Sequence, residues 1–397
     1  MTQQQTEKQK LQKGKSYITV VGKAKIGENT FSGDKTSKTS DYQYKRVNIG
    51  IETQEGNNIY GEMMGGFSPS QNYPIKARTK EGENVDIAWA DRFNESIIDT
   101  LNSFSTFNIG LIRDGEEPEE GAEDKRKLVV KRFLSAFDAH DYIKEHLKDG
   151  MMIMAKGSYS FNEHNDDTKR KFQVQDIYLS RSEEGFANFV QTVILDQDSI
   201  TKDSVKNAKT TGEIVVNARA VDYVGKIDGK KIGKNMLFDF PITIKVNEED
   251  PTITEKIIAN LFKVKKGKVR EIAIAGQIFE GYEQQKVSEK DIQITKDVQE
   301  LIAMGLYSKE EAMEKMTVRG NKISKLVFTR PFILKDKDDA TKIKMDVNDE
   351  KYVPEDLIVN IEEEKKEDPI DLSKLAEEET SNAKGDNSWL AGLGLGN

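Results

Sequence analysis

The sequence predicts a mainly β protein with inserted helices (α+β), built as two five-stranded barrels in tandem and followed by a disordered tail. Three observations predict it. Short apolar–polar alternations of period two recur along residues 16–335, separated by Gly-, Asn-, Asp- and Lys-rich turns. One order of elements occurs in both halves: strand, loop, strand, a helix before a Gly, a long strand containing Ala and Gly, and a closing strand. From Asp336 onward the alternation gives way to acids, which cannot bury enough apolar area to fold.

The chain has 397 residues, 36% hydrophobic and 32% charged, which allows two or three domains with modest cores. No run approaches the ~18 apolar residues of a membrane span, so no membrane partner is expected. Met1–Ser16 is rich in Gln and Lys and has no apolar core of a signal peptide. The absence of cysteine excludes disulfides, thiolate metal sites and a Cys nucleophile, and fits a reducing cytoplasm. The net charge of −9 is uneven: 18 Asp/Glu and 8 Lys/Arg lie from Asp336 to the end, against 51 and 52 in the rest. A near-neutral body with an acidic tail points to a polyanion partner, or to a tail that competes with one.

In chain order, residues 1–15 are expected to be a disordered basic arm and 16–182 a first barrel domain. Tyr17–Ala24 reads as a strand and Asn29–Asp41 as a polar loop. Tyr42–Glu52 alternates through Tyr42, Tyr44, Val47, Ile49 and Ile51, with a slip at Lys45–Arg46 that a bulge would explain. Glu55–Asn58 forms a turn and Ile59–Met64 the return strand. Trp89, Phe93, Ile97 and Leu101 predict a short helix, Asp114–Asp124 an acidic loop, and Ala136–Lys148 a helix stopped by Gly150. Met151–Phe161 and Phe172–Leu179 form the last hairpin of this half.

Residues 183–211 are expected as a connector and 212–335 as the second barrel. Glu213–Tyr223 and Asn235–Val246 are its hairpin, and Thr252 with Glu255 a capping box that starts a helix. Val269–Tyr282 and Lys322–Leu334 are its long strands, with Gln293–Met316 as two short helices between them. Residues 336–397 are expected to be the acidic disordered tail. Five strands with a helix between the third and fourth is the order of the OB-fold, a partly open barrel that binds oligonucleotides across strands two and three.

Catalytic constellations are missing. His140, His146 and His164 lack ligand spacing, so no metal is expected, and no phosphate-binding loop or other cofactor motif occurs. Lys226-Ile227-Asp228-Gly229 resembles the nucleotidylated-lysine motif of ATP-dependent ligases, but it falls where a hairpin turn is expected and has no companion motifs. The chain therefore reads as a non-enzyme.

What remains is a binding surface in which aromatics able to stack bases interleave with cations able to neutralise phosphates. In the first half these are Tyr42, Tyr44, Lys45, Arg46 and Tyr60, with Tyr159, Phe161, Lys169, Arg170 and Lys171 flanking the last hairpin. In the second half they are Arg219, Tyr223, Lys226, Lys230, Lys231, Lys263, Lys265, Lys266, Lys268, Phe279, Tyr282 and Arg330. For any single aromatic, a place in the barrel interior is at least as good a reading. In the tail, Trp389, Leu390, Leu393 and Leu395 stand among glycines at the end of an acidic tether, which reads as a docking peptide for another protein. The other reading is a frayed terminus with Trp389 folded back.

In this architecture the chain resembles the single-stranded-DNA-binding proteins of bacteriophages and bacteria. The resemblance implies a non-enzymatic protein that coats single-stranded DNA with little sequence preference in replication, recombination or repair. It implies a cytoplasmic location, the host's if the chain is phage-encoded, and replication or recombination partners docked through the tail. It leaves the oligomeric state open. The tip ends in Gly-Asn, where the family places a terminal aromatic beside acids. Two further readings stay open: a protein–protein adaptor without nucleic acid, and nucleotidyl transfer resting on Lys226.

Overall fold

Alternation becomes strand from Ser16 onward. β1 (Ser16–Lys25) buries Ile18, Val20 and Ala24. β2 (Phe31–Thr36) and β3 (Gln43–Gln54) follow, and β4 (Asn57–Phe67) returns after a turn at Gly56. The computed structural model describes residues 9–38, 40–54, 56–71, 74–115, 126–164, 167–227, 230–284, 295–306, 308, 319–336 and 341–358. Met1–Ile358 forms one compact unit, and a second, Val359–Asn397, lies outside the described residues.

An insertion then departs from the predicted order. It holds β5 (Ile75–Arg78), β6 (Asn84–Ile87), α1 (Glu95–Thr100), β7 (Phe107–Asp114) and β8 (Lys127–Phe133). The helix expected over Trp89–Leu101 divides in two, a 3-10 turn at Trp89–Asp91 and α1, because the Asn94 side chain caps α1 by accepting from Ser96 N. Ala77, Ile87, Ile98, Leu101 and Leu134 give this insertion a core of its own. Most of the acidic loop expected at Asp114–Asp124 lies outside the described residues. After it come α2 (Ala136–His146), capped by Ser135, then β9 (Met152–His164) and β10 (Asp167–Leu179).

The stretch expected as a connector, 183–211, contains β11 (Phe186–Leu195) and α3 (Lys202–Thr211). β11 was hidden because its inward positions include Ala187 and the buried amide Gln191, which blur the hydrophobic period. Next come β12 (Glu213–Ile227), β13 (Lys230–Lys245), α4 (Pro251–Ile257), β14 (Arg270–Gln284), α5 (Lys296–Ala303) and β15 (Arg319–Pro331). Asp250, not Thr252, caps α4: its carboxylate accepts from Thr252 N, and Pro251 occupies the first turn. The second of the two helices expected over Gln293–Met316 falls on residues outside those described. Short strands β16 (Ile333–Lys335), β17 (Ile343–Met345) and β18 (Val347–Asn348) close the unit.

Among the described residues most of these strands join one mixed sheet of 14 strands, where two separate sheets were expected. Within it the pairings close two circuits of five. The first runs β1–β3–β4–β10–β9 and back to β1, antiparallel except for the short parallel pairing of β4 with β10. The second runs β11–β12–β13–β15–β14 and back to β11, antiparallel except where β13 meets β15. In each circuit a helix, α2 or α4, stands between the third and fourth strands.

The circuits are fused, with β1 pairing β11 from Ser16↔Gln191 to Val21↔Phe186. Aromatic packing joins them as well. Phe161 of β9 stacks on Phe238 of β13, and Tyr159 meets Phe240 edge-on. Gly157 and Gly276 hold matching places in the two circuits. Gly157 pairs with Ile18 and Val174, Gly276 with Phe189 and Phe328, and each lies at a register shift where a strand bends.

The terminal boundaries also differ from expectation. Residues 9–15, read as disordered, are tied down: Leu11 is buried, Gln12 N donates to Tyr352 Oη, and Lys15 pairs with Asp346. The segment 341–358, read as the start of the tail, buries Tyr352 and anchors Arg270 on Asp349. Asp346, Asp349 and Asp356 have specific partners in the folded unit, which a charge count does not register.

Candidate nucleic-acid interface

β3 and β4 pair without interruption from Gln43↔Phe67 to Glu52↔Asn58. On the other edge the β2–β3 register shifts between Ser32↔Arg46 and Lys35↔Tyr44, so the irregularity expected at Lys45–Arg46 is present with its extra residue on β2, and β3 keeps its alternation. Lys45, Val47, Ile49 and Ile51 therefore share one face, and Tyr42, Tyr44, Arg46 and Asn48 the other. The slip in the pattern is Lys45 itself. Its Nζ lies 4.5 Å from the Phe137 ring centroid and 2.6 Å from Asp141, both on α2. Burial works against the ammonium, but Asp141 and Asp34 hold Lys45 above the ordinary lysine value. Lys45 thus caps the inner face by an ion pair and a cation–π contact.

The opposite face carries the aromatic and guanidinium candidates. Tyr42 and Tyr44 stack on each other with centroids 6.1 Å apart, and burial pushes the Tyr42 hydroxyl pKa up. Tyr60, 68% exposed, is paired across from Gly50. Arg46 donates to Met64 Sδ and sits 3.4 Å from Glu62, which is also 3.7 Å from Lys171. Gln173 Nε2 donates to the same carboxylate at 3.5 Å. One acid thus holds two of the candidate cations.

The remaining candidates divide by environment. Tyr159 and Phe161 are buried in the aromatic contact between the circuits, which removes both from any stacking surface. Burial pushes the Tyr159 pKa up, and its hydroxyl has no hydrogen-bond partner among the described residues. Arg170 lies over the Tyr159 ring, 5.0 Å from its centroid, and donates to Ser324 Oγ, while Lys169 is exposed. Arg219 is paired with Asp196, and Phe279 is half-buried with Lys245 over its ring.

On the β12–β13 hairpin, Tyr223 is 59% exposed, and Lys226 and Lys231 face each other across the pairing near its tip. Of the Lys226-Ile227-Asp228-Gly229 motif, Lys226 and Ile227 end β12, Asp228 and Gly229 lie outside the described residues, and β13 begins at Lys230. Lys263, Lys265, Lys266 and Lys268 are exposed on the turn before β14, where Gly267 adopts φ +72°. Arg330 is exposed near the end of β15. Lys230 and Tyr282 are placed as strand positions only. Trp389, Leu390, Leu393 and Leu395 lie outside the described residues.

The sequence reading missed Met64 and Phe104, both exposed. Phe104 sits in Asn102-Ser103-Phe104-Ser105-Thr106, and one large aromatic among small polar residues was the available signal. Among the described residues, no group of three or more His, Cys, Asp or Glu side chains could hold a metal ion. None of the described helices is long and apolar enough to cross a membrane.

No family model matches the chain, and no curated protein matches it. Two crystal structures of the single-stranded DNA binding protein from Thermus aquaticus are similar to it in part. A deletion mutant is 9% identical with a TM-score of 0.28, covering 68% of this chain and 88% of that one. The wild type is 8% identical with a TM-score of 0.29, covering 68% of this chain and 87% of that one.

Proposed function

We propose that this chain coats single-stranded DNA with little sequence preference and is not an enzyme. The observation that carries the reading is the outer face of β3–β4, where Tyr42, Tyr44, Arg46 and Tyr60 alternate with residues that fill the interior. Planar rings and a guanidinium on one solvent-facing ladder supply stacking and phosphate neutralisation, the two interactions that bind single strands without reading bases.

In this reading each five-strand circuit is an OB-type barrel, with β3–β4 and β12–β13 as equivalent hairpins. Tyr223, Lys226 and Lys231 then extend the surface, and Lys263–Lys268 and Arg330 add charge. The acidic tail competes with DNA for these cations, and Trp389, Leu390, Leu393 and Leu395 dock replication or recombination proteins.

Fluorescence anisotropy with labelled oligo-dT of ~30 nucleotides and the matching duplex, at two salt concentrations, tests the reading. Binding to the single strand alone, weakened by salt and strengthened when the chain ends at Ile358, is expected. No binding by either version would favour a protein–protein adaptor, a reading supported by the carboxylates that already neutralise Arg46, Lys171 and Arg219.

A further inference from the structure

Phe104 is the most exposed large apolar side chain among the described residues, at 71%. It is not on a slack loop. Gln175 of β10 donates through Nε2 to the carbonyls of Ser103, Phe104 and Thr106, at 3.3, 2.8 and 2.9 Å. The Asn102 side chain caps the same turn by accepting from Phe104 N. A ring held in water by that many hydrogen bonds gains nothing for folding, so its exposure needs another cause.

Two clefts flank the ring. One of about 390 Å³ lies between Phe104 and β1, with Tyr17, Lys156 and Gln175 in its wall. The other, of about 330 Å³, lies between Phe104 and β4, walled by Met64, Lys76 and Gln173. Ser158 and Gln175 line both. Each cleft is in the size range of small-ligand sites. Lys156 and Lys76 are exposed, and the Asp176 carboxylate in the first cleft is occupied by Asn108 N and Nδ2.

We infer that Phe104 is a stacking platform for a nucleobase of single-stranded DNA, with one base in each cleft and the phosphates near Lys156 and Lys76. This rests on the single-strand reading above and extends its path. Met64 receives the Arg46 hydrogen bond and also walls the second cleft, so the route continues from Tyr44 and Arg46 over Met64 to Phe104. An exposed planar ring between two clefts of mixed polar and apolar lining, with a lysine beside each, suits alternating bases and phosphates. An amphipathic helix would need a continuous apolar stripe.

The test is the full chain against oligo-dT carrying 5-iodouracil, with photocrosslinked peptides identified by mass spectrometry, beside anisotropy of Phe104→Ala and Phe104→Trp. Crosslinks at Phe104 are expected, together with a loss of about 5- to 150-fold in affinity for Phe104→Ala and retention for Phe104→Trp. Phe104→Ala should leave the salt slope unchanged, whereas Lys156→Ala should lower it by roughly 0.7. Because the ring is exposed, both Phe104 variants should melt with the parent. Crosslinks confined to Tyr44, Tyr60 or Tyr223, with Phe104→Ala binding normally, would overturn the inference and leave the function standing. Absence of any single-strand binding would remove both.

Discussion

Lys13 Nζ lies 2.6 Å from Asp222 Oδ1, while Asp222 Oδ2 accepts from Phe161 N at 3.1 Å. One buried carboxylate therefore joins the N-terminal arm, β9 of the first circuit and β12 of the second. Asp222→Ala is expected to cost about 3 kcal/mol, because it strands a buried N–H and removes the Lys13 partner. Lys13→Ala should cost about 2 kcal/mol, because it leaves the buried Asp222 carboxylate without its counter-ion while Phe161 N still donates to it. Urea unfolding of both variants checks this, and equal losses would show that Asp222 acts only through Lys13.

Gly157 and Gly276 have no room for a side chain. A Cβ would lie 1.8 Å from Gln173 O at the first and 2.4 Å from Val327 O at the second. Either Gly→Ala change should cost about 3 kcal/mol through overpacking against backbone. Gly27→Ala, with open space around it, should be nearly neutral. Thermal melts of the three variants provide the comparison.

Glu62 is expected to weaken DNA binding in the native chain, because it occupies Arg46 and Lys171. Glu62→Gln should raise affinity for oligo-dT about fivefold at low salt, with the gain shrinking as salt screens the charges. A loss of affinity would move the interface away from this face.

Hydrogen bonds from Ser68 and Ser70 hold the Asp41 carboxyl pKa down at about 2, below its ordinary 3.8. A folded value below the unfolded one means that the contact stabilises the fold above pH 3.8 and loses that contribution as pH falls towards 2. Asp41→Asn should therefore differ from the parent near neutral pH and converge with it in acid. Parallel urea titrations across that range measure the difference.

Strand existence was legible wherever one face is uniformly apolar, as in β1 and in Val47–Ile51 of β3. It failed at β11, where Gln191 is buried between the circuits and lost its meaning as a surface marker. The candidate surface was legible as residue types on a hairpin. Tyr159 and Phe161 read like Tyr42 and Tyr44 because an aromatic at a period-two position carries no label for inside or outside. Lys45 and Arg46 read alike, yet one turns under α2 and the other to solvent.

By itself the sequence determined the mainly β class, the repeated order of elements and the absence of any thiol, because composition and local period are properties of short segments. Only the tertiary structure decided that the circuits share one sheet and one aromatic contact, and that Asp222 binds three segments. It also decided that Glu62 holds two candidate cations and that Phe104 stands exposed between two clefts. These relations join residues tens to hundreds of positions apart, and their energies depend on burial and distance, which no local pattern encodes.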